Sequence, residues 1–360
     1  MKLTKRQLLK GLGATAAAAA LTRGVTLGHA AEVSDKDLLK PATLRLGHVP
    51  LVSSGPIFLA QARGYFDKVN LKVEQHLYTD GALAIPALVA GDLDLTATTC
   101  NAGLFNAISK NAPYKLFADR GQEKPGSGTM SIVVSAAFAE KGVTGLDKFA
   151  ALKGQRLAIQ APGSIDQYLL GKALQDVKLD ARQDVQWQSG IKYPDMVTLM
   201  GAGRIDAAEI PVPLSYLAEK KKVGKLIGWG SDIEKNAQLA CFAIHESILK
   251  SNFSAAVRFA MVSIHAGREF NHAAATGDEK VVEIIHEATK LPAAIIKSGA
   301  PHWTWMAEDG MPNVTSVMNQ ADYWHSYFTL VPKAVTQAEV FDLAAVKEAN
   351  RQLDRKNPFI

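Results

Sequence analysis

Residues 88–97 read LVAGDLDLTA: an apolar run, a glycine, an acidic turn and a β-forming stretch. Glycine ends helices because it enters the left-handed region at low cost, and Asp suits the tight turn that follows. The stretch therefore reads as the return from a helix into a strand. Residues 200–209, MGAGRIDAAE, repeat it, with Gly91 and Asp94 matched 112 positions on by Gly203 and Asp206. His48-Val49-Pro50 against Gln160-Ala161-Pro162 and Val73 against Val185 hold the same offset. Chance likeness between α/β units is the competing account, but a register kept across four landmarks predicts two similar lobes.

Around each copy, β-rich runs alternate with runs of helical spacing. TLRLGHVP (43–50), LKVEQHLY (71–78), LDLTATT (93–99) and YKLFAD (114–119) read as strands, with helices in IFLAQARGYF (57–66) and ALAIPALVA (82–90). After a Gly/Pro break at EKPGSG (123–128) the order restarts: QRLAIQAP (155–162), DVQWQSG (184–190) and IDAAEIP (205–211) are strands, separated by GSIDQYLLGKAL (163–174) and YPDMVTLMGAG (193–203). Such alternation predicts mostly parallel sheets flanked by helices. From about residue 254 the chain turns mainly helical, as a tail able to wrap a lobe.

Residues 1–30 look like an export signal: Lys2, Lys5, Arg6 and Lys10, then GLGATAAAAAL, then a site for cleavage near Ala30. TKRQLLK is similar to a twin-arginine motif with Lys5 in place of the first arginine, which leaves the export route open. The five cations of this segment account for the whole formal charge of +5, so the remainder is neutral and offers no basic surface for nucleic acid. Cys100 and Cys241 have no metal-type neighbours; in an exported chain they could pair or stay free. The nine histidines are dispersed, and neither a metal nor a cofactor is expected.

Ligands of open α/β sheets sit beyond the carboxyl ends of the strands. That rule selects His48, Ser53, Ser54, Gly55, Asp80, Thr98, Thr99 and Asn101 in the first half, and Ser164, Asp166, Glu209 and Pro211 in the second. Hydroxyls and amides at helix starts suit oxyanions, although Ser, Thr and Asp there can equally be caps. Arg120, just after YKLFAD, could clamp a carboxylate, while Asp80 and Glu209 favour a cationic or hydrogen-bonding group. Alternatively these charges pair with one another. Trp303 and Trp305 could stack on a ligand ring or pack a lobe. GSIDQYLLGK lacks P-loop spacing, and GAGRID precedes its strand and lacks the third glycine of a dinucleotide fingerprint.

LRLGHVPLVSSGPIFLAQARGYFDKVNLKVE, GALAIPALVAGDLDLTA, APGSIDQYLL and GRIDAAEIPVP, in that order, resemble the periplasmic substrate-binding proteins of nitrate, sulfonate and taurine ABC importers, a family that includes binders of thiamine-pyrimidine precursors. The resemblance implies the two-lobed type II periplasmic binding protein fold with a helical C-terminal tail: lobe 1 from 42–129 plus 247–360, lobe 2 from 130–246, with EKPGSG and AQLACFAIH (237–245) as crossovers. It implies a non-enzymatic, monomeric, periplasmic protein that captures a small molecule and delivers it to an ABC permease and its ATPase. The family's ligand contacts fall on 53–55, 98–101, Ser164, Asp166 and 209–212. Asp166 departs from the Ser or Ala common in sulfonate binders and would repel an anion, suiting an amine, hydroxyl or ring nitrogen instead. The alternatives are a pyrimidine-precursor synthase-like enzyme of the same fold and an exported ligand sensor.

Overall fold

A computed structural model of the chain describes residues 33–360 apart from Asp80, Pro125 and Ser127. The expected export signal and the candidate Asp80 thus lie outside the described residues. Among the described residues, ten strands form two five-stranded sheets. The first has the order β2 (Leu71–Leu77), β1 (Ala42–His48), β3 (Leu95–Thr99), β10 (Ala240–His245), β4 (Tyr114–Asp119). The second has β7 (Gln186–Gln188), β6 (Arg156–Ala158), β8 (Ala207–Pro211), β5 (Met130–Ser135), β9 (Gly224–Trp229).

The two sheets are topological copies. β1 runs parallel to β2 and β3, as β6 does to β7 and β8. Each sheet then takes one antiparallel strand from the other half of the chain: β10 enters the first, β5 the second. Even the irregularities match, with register shifts at Phe242/Ala243 and at Ile132/Val133. AQLACFAIH, expected to be a crossover, supplies β10, which pairs with β3 and β4 of the first sheet. The run is apolar and buried from Ala240 to Ile244, and only the pairing shows which sheet receives it.

The repeated turn has a stabilising device at its centre. Asp94 accepts from the backbone N–H of Arg45 (2.7 Å) and from its guanidinium through Nε (3.1 Å) and Nη2 (2.7 Å). Asp206 accepts the same three donors from Arg156, at 3.0, 2.9 and 2.8 Å. In return, the Asp94 and Asp206 amides donate to the carbonyls of Arg45 and Arg156. Each aspartate thus ties the incoming strand to its neighbour by a planar fork and a backbone bond. Gly91 and Gly203 sit at φ 81° and 65°, where a side chain would be strained.

Truncation of either aspartate orphans a backbone amide and half-buried guanidinium donors. Asp94→Ala and Asp206→Ala should each lower the unfolding free energy by about 2 kcal/mol in urea titrations at neutral pH. Burial pushes the Asp206 carboxyl up, but the Arg156 side-chain and backbone donors outweigh it and hold it below the usual range. Its contribution is therefore present above the unfolded carboxylate value and lost as pH falls through the depressed folded value. The wild-type advantage over Asp206→Ala should accordingly vanish in strong acid.

Alternation along the strands sends neighbouring residues to opposite cores. In β8, Ala207 packs with Ile132, Leu170 and Leu174, while Ala208 and Ile210 pack with Val133, Met196 and Met200. The 24-residue helix Phe253–Thr276 covers the first sheet, setting Phe259 against Phe117 and Phe242. The tail reaches lobe 2 as well: Tyr323 meets Tyr168 edge-on at 5.0 Å, and Trp324 is fully buried beside it. Pro86 lies in the first turn of its helix Ile85–Ala90, where no backbone bond is lost.

Between the lobes, the buried Asp119 accepts from Gln238 Nε2 (2.7 Å), Ala307 N (2.8 Å), Gly121 N (3.1 Å) and Gln122 Nε2 (3.2 Å). It ties the end of β4 to both crossovers and to the tail. Among the described residues no helix is long and apolar enough to cross a membrane.

Candidate functional site

The carboxyl ends of β1, β3 and β4 face those of β6 and β8 across a direct link. The first helical amide after β3, Ala102 N, donates to Gly163 O at 2.9 Å. Gly163 N in turn donates to Gln167 Oε1 at 2.7 Å. Asn101 caps the helix Ala102–Ser109 by accepting from Leu104 N at 2.9 Å, and its Nδ2 donates to Thr99 O and Thr99 Oγ1. Asn101 is thus a helix cap, and Thr99 supports it by accepting from its side chain. Thr98 is buried, and its hydroxyl lies 3.3 Å from Thr99 O.

In lobe 1 the structure gathers His48, Ser54 and Arg120. Ser54 Oγ donates to Val49 O and accepts from Arg120 Nη2, both at 2.6 Å. His48 is buried, with Nε2 at 2.9 Å from Gln75 Oε1 and Nδ1 at 3.3 Å from Val49 O. Burial lowers the His48 value, and the nearby Arg120 charge lowers it further. Burial also brings Arg120 down to about 10, so it stays cationic at neutral pH. Among the described residues no carboxylate forms an ion pair with Arg120. Gly55 admits nothing larger, because a Cβ there would stand 2.2 Å from the Phe270 ring.

In lobe 2 three carboxyls converge. Asp166 is fully buried and accepts from Gln160 N (2.7 Å) and Gln167 N (3.1 Å), so it organises the loop into the helix Ile165–Asp176. Burial nevertheless pushes it up to about 6. Ser164, at the N-terminus of that helix, makes no side-chain cap and donates to Ala161 O at 2.5 Å. Glu123, absent from the sequence selection, is likewise fully buried and accepts from Met130 N (2.8 Å) and Thr129 N (3.0 Å). Burial pushes Glu123 up to about 7.

Glu209 differs from both. It is 0% exposed, and neither carboxyl oxygen has a hydrogen-bond partner among the described residues. Burial first, then the Asp166 and Glu123 charges, drives its value well above the carboxylate range. Pro211 ends β8 two residues on, and the following Val212 and Pro213 approach Gly299 of the tail. There His302 stacks on Trp229, at the end of β9, at 4.3 Å and 8°. Neither Trp229 nor His302 carried a sequence signal, because their meeting depends on the tail's return.

Several readings are narrowed by these positions. Trp303 packs, stacking on Phe270 at 4.8 Å, and Trp305 lies under Lys124 Nζ at 4.0 Å. Cys100 and Cys241 are buried thiols with sulfurs 3.9 Å apart. A recess of about 660 Å³ lined by Ser135, Arg156, Asp206 and Lys222 lies at the opposite strand ends. The small cavity bordered by Ser53 and Arg120, about 20 Å³, has room for a single water. Neither holds Asp166, Glu123 or Glu209.

Residues 37–286 match the NMT1-like family. Among curated proteins, a bicarbonate transport ATP-binding protein, CmpC, of Synechococcus elongatus is 26% identical over 205 residues, covering 54% of this chain and 30% of the relative. The chain therefore spans about a third of that relative's length. Among solved structures, the periplasmic nitrate-binding protein NrtA of Synechocystis PCC 6803 superposes with TM-score 0.71 at 14% identity, covering 89% of this chain and 91% of that one. The alkanesulfonate-binding protein SsuA of Xanthomonas axonopodis pv. citri, bound to MOPS, gives TM-score 0.66 at 19% identity, covering 84% and 99%. This chain shares the two-lobed periplasmic binding protein fold with these two solved structures.

Proposed function

The chain belongs to the NMT1-like family, and from that premise we propose that it is the exported solute-binding component of an ABC importer. A small organic molecule enters between the lobes, favours their closure and is handed to a membrane permease driven by its ATPase. The protein acts as a periplasmic monomer and changes no covalent bond. The observation that carries this reading is the Ala102 N to Gly163 O bond. It joins the lobes at the strand ends, where both present fixed polar groups: Ser54 with Arg120 on one side, Glu209 with Asp166 on the other. A ligand bridging these walls gains contacts in the closed arrangement that neither lobe offers alone.

A thermal-shift screen of the mature chain against sulfonates, nitrate, carboxylates, amines and pyrimidines tests the role. A true ligand at a hundredfold over its Kd should add about 2.7 kcal/mol of stability. Silence across every class would sink the binding role.

A further inference from the structure

Glu209 presents a problem in charge balance. By strand alternation it shares the face of Ala207, under the helix that carries Asp166. The charges acting on it are Asp166 of that helix and Glu123 of the first crossover, both acids. Those two are each committed to backbone amides. None of the three forms an ion pair among the described residues. A buried carboxyl without donors is costly in either protonation state, since the neutral form still leaves a hydroxyl and an acceptor unpaired. Nothing in the local fold requires it, because no described group leans on its oxygens.

A resident metal does not resolve the imbalance. Among the described residues the one group of acids and histidines close enough to share an ion is Glu283, His286 and Glu287 on a tail helix, which excludes Glu209. An oxyanion would meet three carboxyls and no cation. A nitrogen cation meets two free acceptor oxygens on one planar group, the geometry that pairs with two parallel N–H donors.

Resting on the binding role proposed above, we infer that Glu209 is the anchor for a ligand carrying a cationic nitrogen with at least two N–H donors, such as an ammonium or amidinium group, and that the lobe-2 wall is not an oxyanion site. Because the free carboxyl sits in an acidic, buried setting, it holds its proton until the cation arrives. Binding then releases that proton to solvent. Affinity for a permanently charged cation should consequently tighten as pH rises from acid toward neutrality, by up to about tenfold per unit.

The test is calorimetry on the mature chain with benzamidinium and n-butylammonium against nitrate and ethanesulfonate, in two buffers of different ionisation enthalpy. The expected result is binding of a nitrogen probe with net proton release and tightening with pH. Glu209→Gln should weaken it by at least about tenfold and flatten its pH profile. A nitrate or ethanesulfonate complex unaffected by Glu209→Gln would overturn the ligand class while leaving the binding role intact. So would a hit from the wider panel that lacks N–H donors. If no compound of the wider panel binds, the role and the class fall together. Should Glu209→Gln not fold, the wild-type measurement decides alone, and nitrogen-probe binding without proton release refutes the assignment.

Discussion

Asp119→Ala is expected to lower the unfolding free energy by about 3–4 kcal/mol and to separate the motions of the two lobes, because one small side chain closes four bonds there. Ala307 N and Gly121 N would be left as buried donors, while Gln238 keeps the carbonyls of Gly121 and Ala240 and Gln122 keeps Met311 O. Those remaining bonds cap the loss short of complete unfolding. Urea titration with a probe in each lobe is the measurement. A shift under about 1 kcal/mol would show that water replaces the carboxylate and that the crossovers are held by packing alone.

The second large effect concerns closure. Gly163 has φ +80°, and a Cβ there would stand 2.4 Å from Ala102 Cβ and 3.4 Å from its backbone nitrogen. Gly163→Ala carries two penalties: left-handed strain, present whatever the lobes do, and a clash that exists only when the loop meets the helix Ala102–Ser109. The clash costs roughly 2 kcal/mol, which weakens ligand binding about thirtyfold. Gly190→Ala separates the two, since Gly190 has nearly the same φ, +81°, and nothing within 4 Å of the added carbon. Gly190→Ala should lose stability but keep its affinity for the best ligand of the thermal-shift panel. Equal affinity loss in both variants would mean that the Gly163 contact is not the closing contact.

Legibility in the sequence followed the range of the interaction. The strands and helices read around the twin Gly-x-x-Asp turns and the helical tail are local patterns that appear where their periods place them, whereas β9 and β10 were not read as strands. The partners of the turn aspartates were not readable, because Arg45 and Arg156 lie 49 and 50 residues away on adjacent strands. Parallel pairing across a helical crossover brings them together, and composition carries no trace of it. β10 illustrates the same limit: its continuous apolar run suits a buried strand as well as a buried helix segment, and insertion between β3 and β4 is a decision of the whole sheet.

For the site, the rule of strand carboxyl ends selected His48, Ser54, Asn101, Asp166 and Glu209 from residue type and position. It could not distinguish what each side chain does once the chain is folded. Asp166 and Glu209 look alike as letters, one beginning a helix and one within a strand. Folding gives Asp166 two amides and Glu209 none. Glu123 joins them only because the first crossover folds back over β5. By itself, the sequence determined two copies of one α/β unit, since periodicity and turn chemistry act over a few residues. Tertiary structure alone decided which polar groups are already satisfied and which remain to be, because hydrogen bonding in a buried site depends on neighbours that are distant along the chain.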